Sequence, residues 1–145
     1  MSKLRAVEVQ VSNPARSPIT IKEIDRISRA VLTRLRNAHL RCISVALVTV
    51  PVMRRLNRTR RGIDRATDVL SFSFGSGGGG VVDGEVVLCY PYLKDQAKRV
   101  GVPLREEVTR MLIHGILHLA GHDHEKPKDA AVMFPLQERY LKAIL

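Results

Sequence analysis

CISVALVTV, residues 42–50, is a continuous β-rich run and reads as a buried strand. Upstream of it, Thr20 followed by Glu23 forms a capping-box pattern, and Ile24, Ile27, Val31 and Leu35 recur at three and four residues. That periodicity predicts an amphipathic helix over about 20–36. Further upstream, Val7, Val9 and Val11 alternate with polar residues, the pattern of a half-buried strand. Downstream, Pro51 to Asn57 reads as a short turn or helix, and residues 54–65 as a basic loop. DVLSFSF (68–74) reads as a strand, GSGGGG (75–80) as a flexible low-complexity loop, and VVDGEVVLCY (81–90) as the strand that completes a hairpin. A helix led by Pro91 covers about 92–99, and Gly101 and Pro103 punctuate it. Two more helices follow over about 104–120 and 128–144. This order implies an α/β (α+β) fold, with a mixed four-stranded sheet packed by about five helices. No shift in composition divides the chain, so residues 1–145 read as one domain.

Composition narrows the function classes. The chain has 145 residues, enough to bury about 70% of the surface its unfolded form exposes. No apolar run approaches the roughly 20 residues of a membrane span. The N-terminal MSKLRAVEVQ lacks an apolar signal core, so a soluble cytoplasmic protein without a membrane partner is expected. Lys and Arg total 24 against 14 Asp and Glu, a net charge of +10. Such a surplus attracts polyanions, nucleic acid first and an anionic membrane surface second. Cys42 and Cys89 stand apart, outside any C-x-x-C, and are expected as small core hydrophobes.

The segment richest in chemistry is HGILHLAGHDH (114–124). His114 and His118 are four residues apart on the predicted helix, one turn apart on one face, where two imidazoles can share a metal ion. Gly121 stands where that helix should stop, because glycine accepts the left-handed backbone of a helix C-terminus. On a continued helix His122 would project about 80° from His114, a poor angle for a shared ion. His124, beyond the break, completes the H-x3-H-x2-G-x2-H spacing of long zinc motifs and is favoured as third ligand. Three imidazoles holding one Zn2+ at the end of a helix in the C-terminal half leave an open coordination position, the mark of a hydrolytic site. The glutamate that serves as base in H-E-x-x-H peptidases is replaced by Gly115, which counts against peptide cleavage. Phosphodiester cleavage loses less, since it depends mainly on positioning and charge stabilisation.

Arg54, Arg55, Arg58, Arg60, Arg61 and Arg65 crowd the basic loop, opposed only by Asp64. Guanidinium groups suit phosphate, being planar, bidentate and permanently charged. One of them could stabilise charge near the metal, though spacing does not single it out. With three Phe, three Tyr and no Trp, binding dominated by base stacking is not expected.

These segments together resemble the YbeY family of bacterial metal-dependent endoribonucleases. HGILHLAGHDH is similar to the family's H-G-x-L-H-L-x-G-x-D-H, and LNRTRRGIDRATDVLSF (56–72) to its L-N-x-x-x-R-G-x-x-x-x-T-D-V-L-S-F. GEVVL (84–88) is similar to its G-D-I-V-I strand, and Met133 with Gln137-Glu138 fits its last helix. The resemblance spans roughly residues 40–145. It implies His114, His118 and His124 as zinc ligands and Arg61 as the functional arginine. It also implies processing of the 3′ end of 16S rRNA and ribosome quality control. The implied partners are rRNA and the small ribosomal subunit, with ribosomal proteins or an assembly GTPase beside them. Ala66 and Ser73 depart from the family's usual prolines and touch loop geometry. The general base stays unassigned, and Asp123 reads as an orienting or turn residue. The rival readings are a non-catalytic ribosome-assembly protein with a structural zinc, and a metal hydrolase acting on peptides or small molecules.

Overall fold

The structure, a computed structural model, describes residues 7–37, 39–74 and 82–145. The alternating valines form β1 (Glu8–Ser12), and the capped segment forms α1 (Ile21–Leu35). The capping box is present: Glu23 N–H donates to Thr20 Oγ1 at 3.1 Å, and Thr20 N–H donates to Glu23 Oε2 at 3.2 Å. The apolar run at 42–50 forms β2 (Cys42–Val48) and then turns directly into α2 (Val50–Arg61). β3 (Val69–Ser73) and β4 (Gly84–Cys89) follow, then α3 (Tyr90–Val100), α4 (Leu104–Leu119) and α5 (Pro127–Ile144). The glycine run 75–80, expected to be a loop, lies outside the described residues.

The sheet order is β1-β2-β4-β3. β1 and β4 flank β2 in parallel, with Val9 opposite Ile43 and Val45 opposite Val86. Parallel neighbours need crossovers, which α1 and α2 help to supply. β3 runs antiparallel to β4, with Leu70 opposite Val87, as the hairpin reading expects. β3 is therefore an edge strand.

Strand alternation splits the core in two. Ile43, Val45 and Leu47 of β2 and Val86 and Leu88 of β4 join Ile24, Ile27 and Val31 of α1 and Leu112, Ile113 and Ile116 of α4. On the opposite face Val48, Leu70, Val87 and Cys89 meet Met53 of α2. Cys42 and Cys89 are buried, in keeping with a packing role. No described helix is long and apolar enough to cross a membrane.

One expectation is corrected. The arginines read as a basic loop over 54–65 stand mostly on α2, which continues to Arg61. Charge density hides this helix, yet its ingredients are ordinary. Pro51 suits a first helical turn, arginine is a good helix former, and Gly62 at φ +73 caps the end. Arg58, Arg60 and Arg61 in the last turn complement the negative end of the helix dipole. Buried Met53 and Asn57 mark the inner stripe, and Asn57 Nδ2 donates to the Arg65 carbonyl at 2.8 Å, which ties the loop after α2 back to the helix.

Candidate metal centre

The site begins with how closely α4 lies on the sheet. A Cβ built on Gly115 would stand 2.7 Å from Val86 Cγ1 and 3.1 Å from Ser71 Oγ. One on Gly84 would stand 2.8 Å from Leu119 Cδ2. The two glycines let helix and sheet approach, and Ser71 Oγ donates to the Gly115 carbonyl at 2.9 Å across the contact. The same packing explains why no glutamate follows the first histidine: there is no room for one.

With α4 seated, His114 and His118 face a cavity of about 600 Å³ beside the edge strand β3. The helix then stops. Gly121 adopts φ +99, its N–H donates to the His118 carbonyl at 3.0 Å, and His122 N–H donates to the Leu117 carbonyl at 3.0 Å. This is the paired bonding of a glycine-capped helix end. Asp123 completes the reversal. Its Oδ1 accepts from His124 N–H at 2.7 Å and from Glu125 N–H at 3.3 Å, and these bonds hold its carboxyl below the usual carboxylate range. His124 is thereby brought back over the first two histidines.

The three rings converge. Their centroids are 4.6 Å (His114–His118), 5.3 Å (His114–His124) and 5.1 Å (His118–His124) apart, and one ring nitrogen from each lies within 4.8 Å of the others. The Nε2 atoms of His114 and His118 stand 3.1 Å apart, close to the separation of about 3.3 Å that follows from zinc–nitrogen bonds of about 2.0–2.1 Å in a tetrahedron. The donor set fits a divalent ion that favours nitrogen, and exposed His124 can close the remaining gap. His122 is not part of the cluster.

His114 is oriented from behind. Its Nδ1 lies 2.7 Å from Gln137 Oε1, an acceptor, so Nδ1 carries the proton and Nε2 presents its lone pair to the cavity. Gln137 Nε2 in turn donates to Glu138 Oε2 at 3.2 Å, which sets the amide the right way round. Arg110 holds Glu138 through Nε at 3.2 Å and reaches buried Glu107 through Nη1 at 3.0 Å. Burial pushes the His114 and His118 imidazoles below their usual 6.5, and for His118 the neighbouring imidazoles add to the effect. Both are neutral near pH 7, the form that binds metal.

Arg61, the last residue of α2, lines the same cavity, as does Asp68 at the start of β3. The other arginines divide. Arg54 Nε bonds Asp64 at 2.9 Å and Arg58 Nη1 stands 3.8 Å from the same carboxylate, while the Arg60 guanidinium lies 5.2 Å from the centroid of the Phe72 ring. Two residues of the site escape a reading by motif spacing. Gln137, noted only as part of the last helix, is the partner of His114. Phe134, one turn earlier on α5, lines the cavity with its ring centroid 5.5 Å from that of His124.

Comparison with known proteins agrees with this architecture. The family model described as endoribonuclease YbeY matches residues 10–145. A protein of that name from Persephonella marina is 45% identical over 106 residues, covering 70% of this chain and 69% of its own length. One from a Sulfurihydrogenibium species is 42% identical over 124 residues, covering 83% of this chain and 81% of its own. The solution structure of TM1509 from Thermotoga maritima superimposes with a TM-score of 0.68 at 27% identity, over 94% of this chain and 88% of that one. Motifs, fold and the family match over residues 10–145 converge, and the chain belongs to the YbeY family.

Proposed function

We propose that this chain is a zinc-dependent endoribonuclease that cuts single-stranded RNA. Its substrate in the cell is the 3′ end of 16S rRNA on the small ribosomal subunit, with a further part in ribosome quality control. The observation that carries the chemistry is the convergence of three imidazoles on one cavity that Arg61 also lines. His114, His118 and His124 would hold the ion, which when bound supplies Lewis acidity and a water of lowered pKa. Arg61 binds the scissile phosphate and offsets the charge that develops on its oxygens. Gln137 keeps the His114 proton on Nδ1 throughout, so that the ligand nitrogen stays free. Asp123 is committed to the turn that delivers His124 and serves as an orienting residue.

Cleavage of a single-stranded rRNA fragment, with and without chelator, tests the reading. Wild type should cut in a metal-dependent way. His114→Ala should lose cleavage while still binding RNA. Arg61→Ala should lose about 10²–10³-fold in kcat, the scale of removing one transition-state charge stabiliser, and keep its metal. Cleavage that survives in His114→Ala would sink the assignment.

A further inference from the structure

We infer that Phe134 is a platform on which an unpaired nucleobase next to the scissile phosphate stacks. This deepens the endoribonuclease reading and rests on it. Phe134 is 43% exposed, and among the described large hydrophobic residues that are exposed it is the one that lines the metal cavity. Its ring stands near the ligands, with its centroid 5.5 Å from that of His124 and 6.3 Å from that of His114, tilted 32° and 19°. The exposed part of Phe134 borders the cavity.

Position and chemistry favour a base as the occupant. Phe134 and Gln137 are three residues apart and share one face of α5. Because Gln137 bonds His114, the platform and the first ligand are fixed by the same turn of helix. A nucleotide whose phosphate meets Arg61 and the histidine cluster must put its base somewhere in a cavity of this size. A wet aromatic face on the cavity wall offers stacking there, worth about 1–3 kcal/mol per base and tolerant of sequence. A base inside a duplex has both faces covered by its neighbours and cannot use the platform. Phe134 thus discriminates against paired RNA and contributes no strong sequence preference.

A cycle of protein and substrate changes tests this on the zinc-loaded, full-length protein. The probe is a single-stranded rRNA fragment, intact or with one abasic nucleotide placed in turn at each position flanking the cleaved bond. Phe134→Ala should lower kcat/KM on intact RNA by about 5- to 150-fold. One abasic position should lower wild-type kcat/KM by a similar factor, and Phe134→Ala should add no further loss at that position. Phe134→Trp should restore cleavage, and zinc content should stay at the wild-type level in both variants. Wild-type kcat/KM in Phe134→Ala would overturn the proposal while leaving the nuclease reading intact. So would losses that multiply at every abasic position, or zinc lost in step with activity, which would make Phe134 a support for the ligands. A wild-type protein that cuts no RNA would overturn the reading and the platform together.

Discussion

At the scale of single residues, the site depends on which nitrogen of His114 carries the proton. Gln137 Oε1 decides this at 2.7 Å, and Glu138 decides which way the Gln137 amide faces. Gln137→Leu keeps the bulk and removes the acceptor, so the ring is free to rotate and to exchange tautomers. Metal affinity, read by chelator competition, should fall by about 10–100-fold with little change in secondary structure. Glu138→Gln should fall less, because a rotated amide can still be found. A second consequence concerns pH. In the folded, metal-free protein His114 and His118 protonate below 6.5, whereas in the unfolded chain they protonate near it. The unfolded state therefore binds more protons as pH drops, and stability is lost from about pH 6.5 downward and is fully present above it. Thermal melts of the metal-free protein should hold level from pH 8 to 7 and decline from pH 6.5 to 5. His118→Gln should flatten that decline. A melting temperature that rises as the pH falls would contradict the burial of these rings.

At the scale of elements, α4 carries the site and the sheet carries α4. Gly115→Ala tests that contact. Alanine improves helix propensity by about 1 kcal/mol, but its Cβ would stand 2.7 Å from a methyl of fully buried Val86, and overpacking costs about 1–3 kcal/mol. The net expectation is a loss of about 1 kcal/mol in urea denaturation, together with weaker metal binding, since His114 and His118 move with the helix. This contact also shows how far the sequence could be read. His114, His118 and the break at Gly121 obey local rules of period and capping, so the grouping of His124 with the other two histidines is legible from spacing. The glycine in place of glutamate was legible as a departure, but its cause lies in β3 and β4, far away in sequence. The start of α2 reads as a turn or helix from Pro51, but its arginine-rich remainder reads as a loop because charge outweighs Met53 and Gly62, although arginine favours helices. Phe134 and Gln137 lie ten and thirteen residues beyond the motif and reach it only because α5 packs on α4. No local period reports such a contact. The family resemblance singles out Arg61 as the expected functional arginine, which the charge pattern does not distinguish from its neighbours.

At the scale of the whole molecule, the net charge of +10 becomes a directed surface. Arg54, Arg58 and Arg61 fall at i, i+4 and i+7, one stripe of α2 that ends at the cavity. Asp64 sits against the first two and leaves Arg61 outside its ion pairs. The stripe is thus partly neutralised along the helix and cationic beside the histidine cavity, which on the proposed function favours placing a phosphate at the site over holding it along the helix. Asp64→Asn separates these roles, since it raises the net charge from +10 to +11 and releases Arg54 and Arg58. Single-stranded RNA binding loses affinity with salt at a slope of about −0.7 for each phosphate neutralised. On the proposed function, fluorescence anisotropy with a labelled single strand should show tighter binding by Asp64→Asn at low salt. The slope should steepen by up to about 1.4, corresponding to two new phosphate contacts. Arg61→Ala should instead flatten the wild-type slope by about 0.7. If Asp64→Asn leaves both affinity and slope unchanged, the arginine stripe does not meet the RNA, and recognition is confined to the cavity.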